Sequence, residues 1–316
     1  MVDFSYLLKG LYALARAHRV STMSGHLGAA VVAGYFIGEQ HPDLDERVYR
    51  GIELELERII RGEETVFSPK PGAVLNAPAM FEPFPKEQPK GNLIDGIAEA
   101  LSRNIDHARE SGHNVIFAAI AIRALKDHPD LATPSVTDGI RMLIAGFNDA
   151  SPGSGYFGKD KGRINGRQIV LREDDGIRPF PDLQTMAETA LDELIRHASQ
   201  RREGFGGLWH VINHAGAIAE LASYGYRKLA NKGLPAFREH FRLYSAVPDV
   251  SAEKGPETPT PNSPMTPDFW VPETIRRERA HLTHRIKTIY GFDALAELVP
   301  NMDRRSQGRD KLRFLM

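Results

Sequence analysis

Ser24-Gly25-His26 is followed, after fourteen residues, by His41-Pro42-Asp43-Leu44, and the same seven residues recur as Ser111-Gly112-His113 and His128-Pro129-Asp130-Leu131. The two copies are separated by a constant offset of 87 with no gap. Chance composition does not produce that register. It predicts an internally duplicated array in which each copy presents a histidine at the same place.

Working outward, Leu93, Ile97, Leu101 and Ile105 form one i, i+4, i+8 row, and Leu183, Ala187, Leu191 and Ile195 form the same row 90 residues later. These rows predict amphipathic helices over 93–110 and 183–200, and a related one over 6–19. Between them lie segments that are apolar on nearly every face, 26–40 and 113–127, with a looser counterpart at 208–229. A helix apolar all round is buried all round, so these should form the inner layer. Charged helices follow at 45–61, from Pro134 onward and at 235–243. A fourth amphipathic helix at 273–288 closes the series. The expectation is an all-α chain of about ten helices, an α/α toroid-like or solenoid array in one domain spanning 1–316. Its repeats run over 4–91, 92–181 and 182–271, with a partial fourth over 272–316.

Three long connections interrupt the pattern, at 62–91, 148–181 and 245–272. Loops of that length are usually functional or disordered. The middle one alternates from Tyr156 to Leu171 in the manner of a hairpin with its tip at 159–166. Aromatics on the connections, such as Phe84, Phe157, Phe180 and Trp270, could line a pocket mouth.

Composition narrows the function. Forty Lys plus Arg against 41 Asp plus Glu leave no basic excess for nucleic acid. With no cysteine, disulfides, thiolate ligands and cysteine nucleophiles are excluded, so a metal would rest on His, Asp or Glu. The opening helix is amphipathic and lacks a secretory pattern, and no stretch is apolar enough for a membrane span. The expected location is the cytoplasm, with a small molecule as partner.

The twelve histidines are unevenly placed. His18, His107 and His197 end the amphipathic helices, His26, His113 and His214 begin the inner ones, and His210 stands one turn before His214. Antiparallel neighbours bring all seven to one rim, and His281 and His284 could join them. Imidazoles in a first helical turn are kept neutral by the macrodipole, the state that metals and general bases require. His26, His113, His210 and His214 are therefore the metal candidates for Zn or Fe, and His26 and His113 the catalytic pair. Glu220, a single acid inside an apolar helix, is the catalytic carboxylate candidate. His41 and His128, just before Pro-Asp-Leu, read as helix C-terminal caps. Glu278-x-x-His281 is a metal-helix spacing, weak in a single copy.

Gly25-His26, Gly112-His113 and His210-x-x-x-His214, over about a third of the chain, resemble the questin oxidase-like family. That resemblance implies a helical protein with an inner cavity for aromatic polyketides, with His26, His113, His210 and His214 around it and a planar apolar substrate oxidised there. A likeness to the toroids of carbohydrate-active enzymes lacks the paired acids those enzymes use. Three functions stand open: an enzyme with a histidine-lined, metal-bearing cavity for a small, partly apolar organic molecule; a metal-free isomerase or lyase using His26 and His113; and a non-catalytic helical scaffold.

Overall fold

Gly25–Gln40 is apolar around its whole circumference, and in the structure, a computed structural model describing residues 1–64, 75–172, 176–271 and 282–316, it is buried from Gly25 to Gly34 without a break. It is the second of eleven helices of nine residues or more among the described residues: α1 (Ser5–Ala17), α2 (Gly25–Gln40), α3 (Glu46–Ile60), α4 (Ile94–Ser102), α5 (His113–Asp127), α6 (Pro134–Ala145), α7 (Leu183–His197), α8 (Gly207–Ser223), α9 (Leu234–Ala246), α10 (Leu282–Glu297) and α11 (Met302–Lys311). One two-stranded antiparallel hairpin, β1 (Ser154–Tyr156) with β2 (Arg163–Asn165), pairs Gly155 with Ile164. Among the described residues no helix is long and apolar enough to cross a membrane.

The helices buried on every side make an inner bundle in which α2, α5, α8 and α10 pack in cyclic order, each against the next. Residues from their beginnings meet at one end and residues from their later turns meet at the other, so the four run parallel. Such close neighbours require small residues at the crossings. A Cβ on Gly28 would collide with the Leu14 backbone, and one on Gly216 would collide with the Gly291 carbonyl. Glycine at these positions lets α1 lie against α2, and α8 against α10, at backbone distance.

The outer helices each bury one face. α1 rests on α2 and α6, α3 on α2 and α10, α4 on α5 and α6, α7 on α8, and α11 on α7. Their starts are chemically marked: Asp45 caps α3 by accepting from Arg47 N, Asp182 caps α7 by accepting from Thr185 N, and Pro134 opens α6 after Thr133.

Three expectations are corrected. The helix expected over 93–110 stops at Ser102, because the buried Asn104 amide turns inward to the Ile144 carbonyl (3.0 Å) and to Asn148 (2.9 Å), while Asn114 donates back to it. The helix expected over 208–229 ends at Ser223, where Gly225 adopts φ +91° before a short helix at Arg227–Lys232. The last inner helix is not the outer, amphipathic one expected at 273–288. Over Leu282–Ala296 every residue of α10 is buried, and it supplies the fourth wall of the bundle. The hairpin forms, with β2 inside the stretch expected to be its tip.

Candidate metal centre

The first turns of α2, α5 and α8 and the start of the described part of α10 bring four imidazoles into one buried cluster. His113 Nε2 lies 2.6 Å from His26 Nε2, and His210 Nε2 lies 2.8 Å from His284 Nε2. The ring centroids of His26 stand 5.9 Å from His210 and 4.8 Å from His284, and those of His113 and His210 are 4.4 Å apart. One nitrogen each from His26, His210 and His284 fall within 4.8 Å of one another, a spacing that could hold a metal ion. Lys287, one turn along α10 from His284, reaches His26 Nδ1 at 2.5 Å.

Backbone carbonyls decide the tautomers. A carbonyl only accepts, so His113 Nδ1–H donates to the Glu110 carbonyl and His210 Nδ1–H donates to the Ser111 carbonyl at 3.3 Å. The Nε2 atoms of both rings are thereby left as lone pairs, directed at His26 and His284. Metal-ligating histidines are set up in this way, the distal N–H bound to a carbonyl and the other nitrogen free to coordinate. The carbonyls are aimed by a strained corner: Glu110, Ser111 and Gly112 all have positive φ, at 43°, 61° and 87°. Glu110 N–H donates to the Ser151 carbonyl (2.6 Å) and Ser111 N–H to the Pro152 carbonyl (3.1 Å), which hold the corner in place.

The electrostatics keep the cluster uncharged. Burial, with the nearby Lys287 second, pushes His113 down to about 3. His26 and His210 are held well below their ordinary values, first by burial and then by the repulsion their charged forms would meet from Lys287 and the other imidazoles. Burial also brings the Lys287 ammonium down to about 7. Three helix N-termini meeting there act in the same direction.

The structure brings His26, His113 and His210 together and leaves His214 out. His214 Nδ1 instead meets His240 Nδ1 at 3.1 Å, and His240 Nε2–H donates to the Phe205 carbonyl at 2.8 Å, at a second strained corner where Phe205 has φ +48°. One turn on a helix rotates a side chain by only about 40°, but His214 also lies about 6 Å farther along the axis. His284 takes the place expected for His214. Glu220 is not in the cluster: it lies in a later turn of α8, where its Oε1 accepts from Arg123 (3.2 Å) and from the Tyr290 hydroxyl. The expected rim of seven histidines shrinks accordingly. His18 bonds its own helix at Ala15 O (2.9 Å), His107 is mostly exposed near Glu239, and His197 pairs with Glu193 at 3.0 Å. His41 does end α2, but its ring binds Asp293 Oδ2 at 2.7 Å, and His128 ends α5 with its ring against Phe4 and Tyr35. His281 and the Glu278 spacing lie outside the described residues. Sequence reasoning missed Lys287, whose signal was a lysine three residues after His284, inside a helix apolar at Ile286 and Ile289.

A cavity of about 550 Å³ adjoins the cluster. Of the four imidazoles His284 is the one that lines it, beside Trp209, whose ring centroid is 5.5 Å away. Phe205, Leu208 and Tyr244 add apolar wall, and Arg163, Arg201 and Arg202 lie around it. The arrangement can offer neutral nitrogen donors at one end of a pocket of small-molecule size. Comparison with protein-family models, curated proteins and solved structures finds no match to this chain.

Proposed function

We propose that the chain is a metal-dependent enzyme, with His26, His210 and His284 holding one divalent ion, Zn or Fe, His113 packed against His26, and a small, partly apolar organic substrate entering beside His284. One observation carries this reading: the Nδ1 protons of His113 and His210 are committed to the Glu110 and Ser111 carbonyls, so their Nε2 lone pairs converge on two further imidazoles. Each of these lone pairs accepts an Nε2–H from the facing neutral imidazole or, where that ring carries its proton on Nδ1, is available with it to a shared cation. The donor set fits an imidazole-preferring transition metal. Held there, such an ion supplies Lewis acidity or, as Fe, one-electron chemistry at its open positions.

The chain's own residues do the rest. His26 is oriented by Lys287, which burial brings down to about 7, so that above neutral pH its amine is uncharged and adds no repulsion to a cation. Trp209, Tyr244 and Phe205 bury the apolar part of the substrate, and the arginines around the cavity suit a polar or anionic end. Assignment to the oxidoreductases rests on the questin oxidase-like resemblance. The toroid-like repeat and residence in the cytoplasm belong to the same proposal.

Elemental analysis of protein purified without a histidine tag is expected to find roughly one Zn or Fe per chain. His26→Ala and His284→Ala should lose most of it while His41→Ala keeps it. A wild-type chain that carries neither metal and takes up neither on addition overturns the reading. The second reading, a metal-free acid–base pair, treats the 2.6 Å contact between His26 and His113 as a shared proton. It requires turnover that survives a strong chelator.

A further inference from the structure

The wall of the cavity beside His284 combines apolar surface with positive charge. Phe205, Leu208, Trp209 and Tyr244 supply the first, and Arg163, Arg201 and Arg202 the second. Two carboxylates also line it, Glu203 and Glu257, and both are engaged. Glu257 accepts from Arg201 at 2.7 Å, and Glu203 accepts from Lys254 at 2.6 Å. Arg163 is exposed and is served by solvent. Arg202 is half-buried, and it donates to neutral oxygens: its Nε to Gln200 Oε1 at 3.0 Å and its Nη1 to the Ser245 carbonyl at 2.9 Å. Asp249 lies near enough to feel its charge, yet among the described residues Arg202 forms no ion pair.

A guanidinium stays ionised throughout the physiological range, so Arg202 cannot shed its charge by titration. Two bonds fix its planar fork, and they leave the Nη2 protons unused. The Arg202 guanidinium stands 5.8 Å from the centre of the Tyr244 ring, and Trp209 lies beside His284, so one cavity runs from the arginine to the proposed metal centre. The start of α8, which no side chain caps, lines the same cavity from Gly207 to Trp209 and adds its positive end to the field.

We propose that the substrate is a small organic monocarboxylate with a planar, apolar body, its carboxylate held by Arg202 and its body laid against Tyr244 and Trp209. One carboxylate answers one guanidinium, and the two groups match in shape. A phosphate monoester carries nearly twice that charge, and a neutral molecule leaves the guanidinium unanswered. Flat aromatic walls favour a flat body. The inference rests on the proposed function in one respect, that the reacting end of the substrate lies beside His284. Arg202 thereby becomes the residue that selects an acid over its neutral analogue.

Calorimetric titration of the full chain, zinc-loaded and chelator-treated, tests this with cinnamate, its neutral amide cinnamamide, and phenyl phosphate. Cinnamate is expected to bind at least about tenfold more tightly than cinnamamide in both preparations, the lower bound for a hydrogen bond to a charged group. Arg202→Gln should bring that ratio below about twofold, whereas Arg202→Lys, which keeps the charge, should hold it above about threefold. No binding of cinnamate, equal binding of acid and amide, tighter binding of phenyl phosphate, or a preference that survives Arg202→Gln overturns the proposal. So does a preference confined to the zinc-loaded chain, which is coordination by the metal. If Arg202→Gln does not fold, the wild-type ratios and Arg202→Lys decide. A preference for cinnamate in a chain that takes up no metal refutes the metal centre alone, whereas metal uptake without the preference refutes the carboxylate alone.

Discussion

His26 and His113, 87 residues apart, touch through their Nε2 atoms at 2.6 Å. The separation in sequence is the offset at which Ser-Gly-His recurs, so the two copies of one short motif close on each other in space. Each begins an inner helix, and parallel packing of those helices makes their first turns neighbours. The contact exists because the same residue sits at the same height on adjacent helices.

Acid should unfold the metal-free chain early. His113 and His240, held by burial at about 3 and about 4, stay neutral in the folded state while the unfolded chain protonates them near 6.5. The unfolded state thus binds more protons, so the contribution of these two groups to stability is full above pH 6.5 and falls as the pH drops toward 4. The two groups together give a slope of roughly 2.7 kcal/mol per pH unit inside that window. Urea midpoints at pH 7, 6, 5 and 4 in the presence of chelator check this, and a flat profile would contradict it.

Lys287→Met should trade function for stability. The folded pKa of about 7 lies below the ordinary 10.5, so the unfolded chain holds a proton that the folded chain lacks between those values. Wild-type stability therefore rises as the pH climbs from 7 to 10.5. The methionine variant should lack that rise, gain about 1–4 kcal/mol at pH 7, and bind Zn(II) more weakly. Denaturation at pH 7 and pH 10 with parallel metal titration reads all three effects.

Gly112→Ala should damage the corner before α5. Gly112 has φ +87°, and a Cβ there would stand 2.5 Å from His214 Cγ. The left-handed backbone costs about 1–2 kcal/mol with a side chain, and the overlap about 1–3 kcal/mol more. Thermal unfolding of the variant measures the sum, and a loss under 1 kcal/mol would mean the ring of His214 moves freely aside.

Arg123 and Glu220 should behave as a couple. Arg123→Met leaves the buried Glu220 carboxyl with Tyr290 alone and should cost about 3–5 kcal/mol. Arg123→Met combined with Glu220→Leu should recover most of that loss. A double-mutant cycle gives the coupling energy, and additive losses would show that the pair is not what stabilises this end of the bundle.

Trp209 should report the centre optically. Its ring is tilted 38° to that of His284 at 5.5 Å, and Trp270 is the one other tryptophan in the chain. Titration with Cu(II) or Co(II) is expected to quench most of the Trp209 emission. Quenching should persist in Trp270→Phe and vanish in Trp209→Phe.

Much of the helical content was legible because helices declare themselves by period and by their ends. His113–Asp127 was readable to the residue, since an apolar run was bounded by Gly112 on one side and His128-Pro129 on the other. His26, His113 and His210 were legible as helix-start residues. His284 was harder to place, because the pattern around it mixes Arg285 and Lys287 with Ile286 and Ile289, and burial of those charges depends on partners distant in sequence, as Glu55 is to Arg285. The pairing of His214 with His240 was hidden for a similar reason: it depends on how α9 lies on α8, which no local pattern encodes. Asn104 ended a helix whose hydrophobic row continued to Ile105, because its amide found partners on another element.

One turn of chain, Glu110 to Gly112, serves two rings that belong to different helices. A substitution that lets this corner relax frees the imidazoles of α5 and α8 together, one a proposed ligand and the other the ring packed against His26. A change in the stretch beginning at Ser151, which clamps the corner from outside, is therefore expected to reach both rings through it.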